Sequence, residues 1–478
     1  MRRRIIFFEL NEVPWRIIDE YVEANPESNL AKILPSSRQF TSITADRGHL
    51  SPWTTWPTLH RGVNDEQHMI GGFGQDRTEV DKTFPPVWEI LRQSGVSVGI
   101  CGTLHTYPTP QDIEAYSFFL PDTFASEPTA FPDELTTFQA FNLKMARESA
   151  RNVDTGVPIG DALKVVAKAP AIGIRPQTYA ALVAQLVSER RKPWQTTRRR
   201  TFQAVLAFDL FMKQLRDRRP SFSSFFTNHV ASALHRYWAA AYPSDYDDLQ
   251  LADDWMDKYR EEIPWAMGQA DAMIGRLAQF CDEHPQFQLW IVSSMGQGAT
   301  KAQPLETQVY LNDVPSFMQA LGLPRDHGWE IRPAMLPQRN VNVEPEYVDK
   351  FEAGLKQVSI GDNPLTYRRD GGFFSIDFGQ ANLHDNPDAV TLGGQQKQPA
   401  QLGLEIVEIE DRSDTTAYHI PEGILSIYDP SDRAVKRAER PEVSVLAITP
   451  AVLENFGVPT RDYMQPAGAL AEVFTTTS

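Results

Sequence analysis

The sequence predicts an α/β protein with a doubly wound, mainly parallel sheet flanked by helices, a helical insertion and a small β-rich insertion. The main observation is residues 287–297, where an apolar run without polar alternation stops at hydroxyls, a glycine and an amide. Such a run is typical of a strand buried on both faces. Arg4–Leu10 and residues 221–226 also end in polar residues. Because open α/β folds place their sites at the carboxyl edge of the sheet, these polar tips are expected to share one pocket.

Composition sets limits on both size and partners. A chain of 478 residues with 41% hydrophobic residues can bury a large core, and it is long for one simple domain, so one core carrying insertions is expected. The net charge of −16 argues against a nucleic-acid binder, which usually needs a basic surface. The two cysteines, Cys101 and Cys281, fit a reducing compartment and lack C-x-x-C spacing.

The arginine-rich start is interpreted as the beginning of the first strand. The apolar run 5–8 is broken by Glu9, which makes it shorter than the ~7–15 residues of a secretory signal core. No stretch approaches the ~20 apolar residues of a membrane span. A soluble, cytoplasmic protein is therefore expected, and its oligomeric state stays open.

Residues 1–120 are expected to form the first half of the core. A helix from Pro14 to about Ala24 follows the first strand, and a β-like segment at 40–45 comes next. Ser51 can cap a helix that Pro52 opens and that ends near Gly62. After a glycine-rich loop at 71–74, a short helix and the strand 97–102 complete a second β-α-β unit.

Residues 121–220 have a different pattern and predict a helical cap, with a long helical segment at 177–216 interrupted at Pro193. The cap contains a basic run: Arg190, Arg191, Lys192, Arg198, Arg199 and Arg200. One interpretation is a solvated helix face. The other is a grip on an anionic substrate, because guanidinium groups match phosphate and carboxylate oxygens. On the second interpretation, at least one of these arginines should face the pocket.

The second half of the core is expected at 221–327, with a strand, a helix carrying HVASALHRYW, a helix from Asp254 to about Glu283, and the strand 287–294. Residues 328–416 are rich in Gln, Asn, Asp, Gly and Pro and are expected to form the mixed, β-rich insertion. Residues 417–478 return to the core and end on a strand and helix.

In this order the segments resemble the alkaline phosphatase superfamily, and within it the type I phosphodiesterase and nucleotide pyrophosphatase branch. WPTLHRGVNDEQHMI has the spacing of the turn that follows the family's nucleophile, and HRYW resembles its metal-ligand helix. IVSSMG stands where the family has Ser-Asp-His-Gly, while HIPEGILSIYDP resembles its last histidine motif. The resemblance covers about two thirds of the chain and implies an alkaline phosphatase-like core.

The resemblance also implies a two-metal site, and here the residues depart from the family. The family holds two ions, usually zinc, with three Asp and three His, and these ions activate a Thr or Ser nucleophile. Position by position, the metal ligands become Asn11, Ala231, Ser294 and Met295, and the nucleophile position falls on Pro52, beside Ser51. Only His235 and His419 remain. Neutral amide and hydroxyl groups replace carboxylates poorly at such cations, so the two-metal site is predicted to be absent.

The remaining polar residues at the sheet edge are the candidate site. Glu9, Asn11, His229, His235, Ser294 and His419 are the catalytic candidates, with a histidine and Glu9 as a general base pair; Thr54, Thr55, His60, Asn228 and Gln297 are candidates for substrate binding. Each histidine or threonine has a structural alternative, as a hydrogen-bonded or capping residue. No cofactor is expected. The alternative is a single divalent metal such as zinc on His235 and His419, with His229 as third ligand.

Two functions remain open from the sequence. One is a metal-independent phosphoester or sulfoester hydrolase, or group transferase, that acts on an anionic small molecule. The other is a catalytically inactive pseudoenzyme that binds a ligand or serves as a scaffold.

Overall fold

The computed structural model describes residues 2–148, 172–334, 337–361, 363–379, 382–383, 390–409, 411–435 and 439–474. At its centre is an eight-stranded sheet. From one edge to the other its strands are Glu442–Ser444, Arg38–Ile43, Glu422–Tyr428, Phe287–Val292, Arg4–Leu10, Phe222–Thr227, Val98–Cys101 and Phe118–Leu120. Only Glu422–Tyr428 runs antiparallel to its neighbours in this sheet. The predicted fold class, a mainly parallel sheet flanked by helices, is confirmed.

The first strand is apolar on both faces because each face has its own core. Ile6 and Phe8 belong to one buried cluster, whereas Ile5 and Phe7 belong to the other. Phe8 packs on Phe225 with the ring centroids 5.9 Å apart. Each such side chain contributes about 1.5–3 kcal/mol when fully buried, so both faces hold this central strand in place.

Helices cover both faces of the sheet. The helix Arg199–Arg218, which the sequence assigned to the cap, is one of them, because its Phe208 packs on Phe8 and Phe225 of the sheet with ring centroids 6.3 and 5.1 Å apart. The α-helices of the described residues are Trp15–Ala24, Asn29–Ile33, Pro52–Arg61, Asp65–His68, Thr78–Thr83, Val87–Gln93, Thr136–Glu148, Pro176–Glu189, Arg199–Arg218, His229–Ala241, Asp253–Tyr259, Glu262–Glu283, Val314–Ala320, Val348–Leu355 and Ile448–Phe456. The predicted break at Pro193 is a short 3-10 helix, Pro193–Arg198. The helix predicted from Asp254 to Glu283 is two helices, Asp253–Tyr259 and Glu262–Glu283. Part of the predicted cap, 149–171, lies outside the described residues.

The β-rich region has a hydrophobic core of its own. One antiparallel sheet contains Thr366–Asp370, Phe373–Asp377, Arg339–Val343 and Trp329–Arg332, and a second contains Asn363–Pro364, Val358–Ile360, Val390–Leu392 and Gln395–Lys397. Their core also takes in residues 309–323, upstream of the predicted start at 328. Two further pairs complete the strands: Thr307–Leu311 with Leu404–Glu408, and Gly296–Ala299 with Ala417–Ile420.

Within the described residues, no helix combines the length and the apolar character needed to span a membrane.

The pairing of Gly296–Ala299 with Ala417–Ile420 sets the position of His419, which lies opposite Gln297. This pairing leaves no room for a side chain at Gly296. A β-carbon there would lie 2.2 Å from the backbone oxygen of Glu422 and 3.0 Å from Cβ of Pro14. Gly296 therefore lets the strand carrying Gln297 approach the strand that follows His419.

We expect Gly296→Ala to lower the free energy of unfolding by about 1–3 kcal/mol, because a backbone atom cannot move aside as a side chain can. Urea unfolding followed by circular dichroism measures the change. Gly298→Ala is the matched control, since a β-carbon there would meet only the Ile420 side chain, at 3.2 Å. Equal losses in the two variants would contradict this account of the strand pairing.

Candidate active site

The carboxyl edge of the central sheet opens into a cavity of 1760 Å³. The core contributes Glu12, Asn228, His235 and His419 to its lining, together with the start of the helix Pro52–Arg61. Residues between 123 and 207 and residues of the β-rich region line other parts of it. The cavity therefore lies where the polar strand tips were predicted to meet.

Glu12 is the centre of the polar groups in this cavity. It follows the first strand and adopts a left-handed backbone conformation with φ 59°, which is uncommon for a residue other than glycine. Its buried carboxylate lies 2.9 Å from Nε2 of His235 and 3.3 Å from Nε2 of His419. The turn thus brings a carboxylate to the two histidines that the sequence placed at family metal positions.

The imidazoles of His235 and His419 are each held in place by a hydrogen bond of Nδ1. Nδ1 of His235 lies 2.8 Å from the carbonyl oxygen of Ala417, and Nδ1 of His419 lies 2.6 Å from that of Leu50. Because a carbonyl oxygen only accepts, Nδ1 is the protonated nitrogen in both rings and Nε2 faces Glu12. Metal-binding histidines are commonly held in this way by a partner of the second nitrogen.

Glu12 is held as an anion. Asn11 Nδ2 donates to it at 2.7 Å, and Gln297 Nε2 donates to its other oxygen. Burial raises the pKa of Glu12, but His419 and His235 lower it more strongly, and the net pKa is well below the usual range. For His419, burial lowers the pKa, whereas Glu12 outweighs this effect and raises it. The surroundings therefore favour an ionised Glu12 next to a protonated His419.

These residues fit one divalent ion. One ligand atom from each of Glu12, His235 and His419 lies within 4.8 Å of the others. Nε2 of His419 is buried and makes no hydrogen bond to any described residue. Two imidazole nitrogens and a carboxylate suit zinc and other first-row transition metals.

The family's second ion finds no matching ligands among the described residues. Asn11 accepts from Trp56 Nε1 and donates to Glu12 and to Asn228, each at 2.7 Å. Ser294 is hydrogen-bonded to Thr55 at 2.8 Å, and within the described part of the chain no hydrogen bond joins it to Asn11. Neither side chain supplies the charge that a second ion requires.

His229 does not take the role of third ligand or base. Its Nδ1 lies 2.6 Å from Thr227 Oγ1, and its Nε2 lies 3.2 Å from the carbonyl oxygen of Ala266. Burial lowers the pKa of His229 to about 4. The ring is therefore neutral, with both nitrogens engaged, and Glu12 is the third potential ligand instead.

Glu9 is not the partner of His229 or His235. It follows Ile5 and Phe7 on the opposite face of the first strand and lies 2.9 Å from Nε2 of His60. Thr103 donates to its second oxygen at 3.0 Å. Glu9 and His60 are both buried, and neither lines the cavity, so this pair connects the sheet to the helix Pro52–Arg61.

The other predicted binding residues divide into two groups. Thr54 and Asn228 line the cavity. Thr55 is fully buried in its contact with Ser294, and Gln297 is buried with its amide donating to Glu12 and to Ala231. The first group is therefore part of the cavity wall, and the second group lies behind that wall.

The basic run of the cap is mostly neutralised or directed to solvent. Arg198 pairs with Glu262 and Arg199 with Glu189, each at 2.8 Å, while residues 190–192 are exposed. Arg200 lines the cavity. Of the described arginines, Arg236, Arg332, Arg339 and Arg368 also line it, and no sequence signal had singled these out.

Comparison with known proteins gives only distant similarity. No protein family model and no curated protein matches the chain. Phosphonoacetate hydrolase from Sinorhizobium meliloti 1021 is similar over 95% of this chain and 96% of its own, with 12% identity and a TM-score of 0.39. Murine ectonucleotide pyrophosphatase/phosphodiesterase 5 is similar over 97% of both chains, with 9% identity and a TM-score of 0.42. At TM-scores this low, neither structure supports a conclusion about this chain.

His68 is a structural histidine below the helix Pro52–Arg61. Its Nδ1 accepts from the backbone N–H of Ile70 at 2.9 Å, and its Nε2 lies 2.9 Å from Thr58 Oγ1. Thr58 in turn donates to Asp46 at 2.5 Å. Burial lowers the pKa of His68 to about 4, helped by the charge of Arg61. The neutral ring is therefore the form that the fold requires.

Because the pKa of His68 is lower in the folded protein, the unfolded chain takes up a proton on this histidine at a higher pH than the folded chain does. The free energy of unfolding should therefore fall as the pH drops from 6.5 towards 4. The loss reaches about 3 kcal/mol at the lower end. His68→Asn keeps an acceptor for Ile70 and should remove this part of the slope. Urea unfolding at half-unit pH steps measures it. A wild-type slope unchanged in the variant would show that His68 does not titrate in this way.

Proposed function

We propose that the protein is a hydrolase or group transferase of the phosphoester class, with sulfate esters as the nearest alternative, acting on an anionic small molecule at a single-ion centre. The observation that carries the proposal is the buried carboxylate of Glu12 facing two imidazoles whose Nδ1 atoms are fixed by backbone carbonyl groups. A buried carboxylate is costly unless positive charge compensates it. A divalent ion held by Glu12, His235 and His419 would supply that charge.

When bound, a divalent ion supplies Lewis-acid polarisation of an ester group. Glu12, His235 and His419 would hold it, and Asn11 and Gln297 keep the carboxylate in place. The chain therefore has ligands for one metal ion, whereas the alkaline phosphatase superfamily has ligands for two.

Other residues of the cavity are suited to bind and orient the substrate. Asn228 accepts from Asn11 through Oδ1, so its Nδ2 donor is available for an anionic oxygen. Ser51 and Thr54 bring hydroxyl groups to the start of the helix Pro52–Arg61, where the helix dipole favours negative charge. The carbonyl oxygen of Leu50, the residue before Ser51, accepts from Nδ1 of His419. This hydrogen bond fixes the start of the helix next to Glu12, His235 and His419. The attacking group is then one of these hydroxyls or a water.

Two alternatives differ from this proposal in measurable ways. An ion-free enzyme, as predicted from the sequence, would use the same residues as an acid–base group, and its turnover would survive chelation. A pseudoenzyme would bind anions without turnover, and the proline at the family's nucleophile position favours that function.

The test combines ion binding with turnover. Calorimetry with zinc and manganese should give one ion per chain, and Glu12→Gln or His235→Ala should weaken binding at least tenfold. Aryl phosphate monoesters, diesters and sulfates form the substrate panel. We expect turnover of at least one, with a loss of at least 100-fold after chelation and in Glu12→Gln, because the ligand charge is removed while the side-chain shape is kept.

His327→Ala is the matched control, because His327 is an exposed histidine that does not line the cavity. It should leave both ion binding and turnover unchanged. Turnover that persists in the chelated protein would support the ion-free enzyme. Ion binding without turnover of any ester would contradict the proposed activity, and two ions of equal affinity would contradict the single-ion centre.

A further inference from the structure

A row of polar side chains runs along one face of the helix His229–Ala241. Asn228 immediately precedes the helix, and Ser232 and Arg236 follow it at intervals of four residues. All three line the large cavity. Residues four apart on a helix lie on the same face with their β-carbons about 5–6 Å apart. Ser232 and Arg236 can therefore contact the same small group.

The side chains of Ser232 and Arg236 make no hydrogen bond to any described residue, although both are half-buried. No carboxylate oxygen of a described residue lies within 4.0 Å of the Arg236 guanidinium. Partial removal of a charged group from water is unfavourable unless an opposite charge compensates it. Arg236 is therefore suited to bind an anion, because its fork matches two oxygens of a phosphate or carboxylate group.

A second arginine approaches the same part of the cavity wall. Arg200, from the basic run, borders a side cavity of only 20 Å³ together with Ser232 and Arg236. A cavity of this size holds about one water molecule, so the residues around it are close together. Glu262 also borders it, but both carboxylate oxygens of Glu262 accept from Arg198, each at 2.8 Å. Arg236 thus adds its charge where the neighbouring carboxylate is already paired.

Ser232 and Arg236 lie beside the Glu12 centre but are separate from it. Neighbouring residues on an α-helix point about 100° apart, so Arg236 is turned away from His235, whose Nε2 lies 2.9 Å from Glu12. Glu12, His235 and His419 line the large cavity and do not border the side cavity. The large cavity, at 1760 Å³, exceeds the about 300–1,000 Å³ of typical small-molecule pockets. One ligand can therefore reach both places with different groups.

We propose that Ser232 and Arg236 bind a second anionic group of the substrate, phosphate or carboxylate, while the ester group lies at Glu12, His235 and His419. This inference rests on the proposed function for which group of the substrate reacts. The guanidinium of Arg236 binds two oxygens of the second group, and the hydroxyl of Ser232 donates to the same group from one helical turn away. The substrate is then a small molecule with two separated anionic groups.

Alkane bisphosphonates and phosphonocarboxylates of increasing chain length test this site without any turnover, with alkyl monophosphonates of equal length as the reference. Calorimetry at constant ionic strength should show one chain length that binds at least tenfold more tightly than its monophosphonate, and the tighter series identifies the second group. Arg236→Met should remove most of that gain and leave monophosphonate affinity unchanged. Ser232→Ala should remove a smaller part, because a neutral donor contributes less than a charged one. Arg236→Lys, which keeps the charge but loses the fork, should retain part of the gain.

Arg191→Met is the matched control, because Arg191 is an exposed arginine that borders neither cavity and its replacement changes the net charge equally. It should change neither affinity. Melting temperatures identify a variant that does not fold, and Ser232→Ala and Arg236→Lys then decide the result. Dianionic ligands that bind no more tightly than monophosphonates, or equal losses for all ligands in Arg236→Met, would overturn the inference. A gain that Arg236→Met removes, in a protein that turns over no ester, would support the site and contradict only the proposed function.

Discussion

The buried charge of Glu12 has to be compensated, and the polar contacts at the carboxyl edge of the sheet are arranged around that need. Asn11 and Gln297 donate to the carboxylate, and His235 and His419 face it. Each of these residues comes from a different segment of the chain. The site therefore exists only when the first strand, the helix His229–Ala241 and the strands Gly296–Ala299 and Ala417–Ile420 are all in place.

The fold could be predicted because its signals are local. The apolar runs within 4–10 and 287–292 predict buried strands, as found, and Pro52, Gly62 and Pro193 mark real helix boundaries. His235 and His419 could be located by their motifs. The β-rich region was recognised by composition, although its core also recruits residues 309–323, which no local pattern showed.

The centre could be predicted only in part, because it depends on side-chain direction. Glu9, Asn11 and Glu12 all lie at the tip of one strand, yet Glu9 points to His60 and Glu12 to the cavity. The difference comes from the left-handed turn at Glu12, and sequence gives little warning of a positive φ at glutamate. Likewise, His229 lies at a strand tip, but both of its ring nitrogens are hydrogen-bonded, to Thr227 and to Ala266, and its role is structural.

The most direct measurement is anomalous diffraction from crystals soaked in zinc, recorded on both sides of the zinc absorption edge. The account predicts one peak per chain, bounded by the Glu12 carboxylate and the Nε2 atoms of His235 and His419. A pair of peaks about 3.5–4 Å apart, as in two-metal sites, would contradict it. So would a single peak bound elsewhere while these three side chains keep the contacts described above.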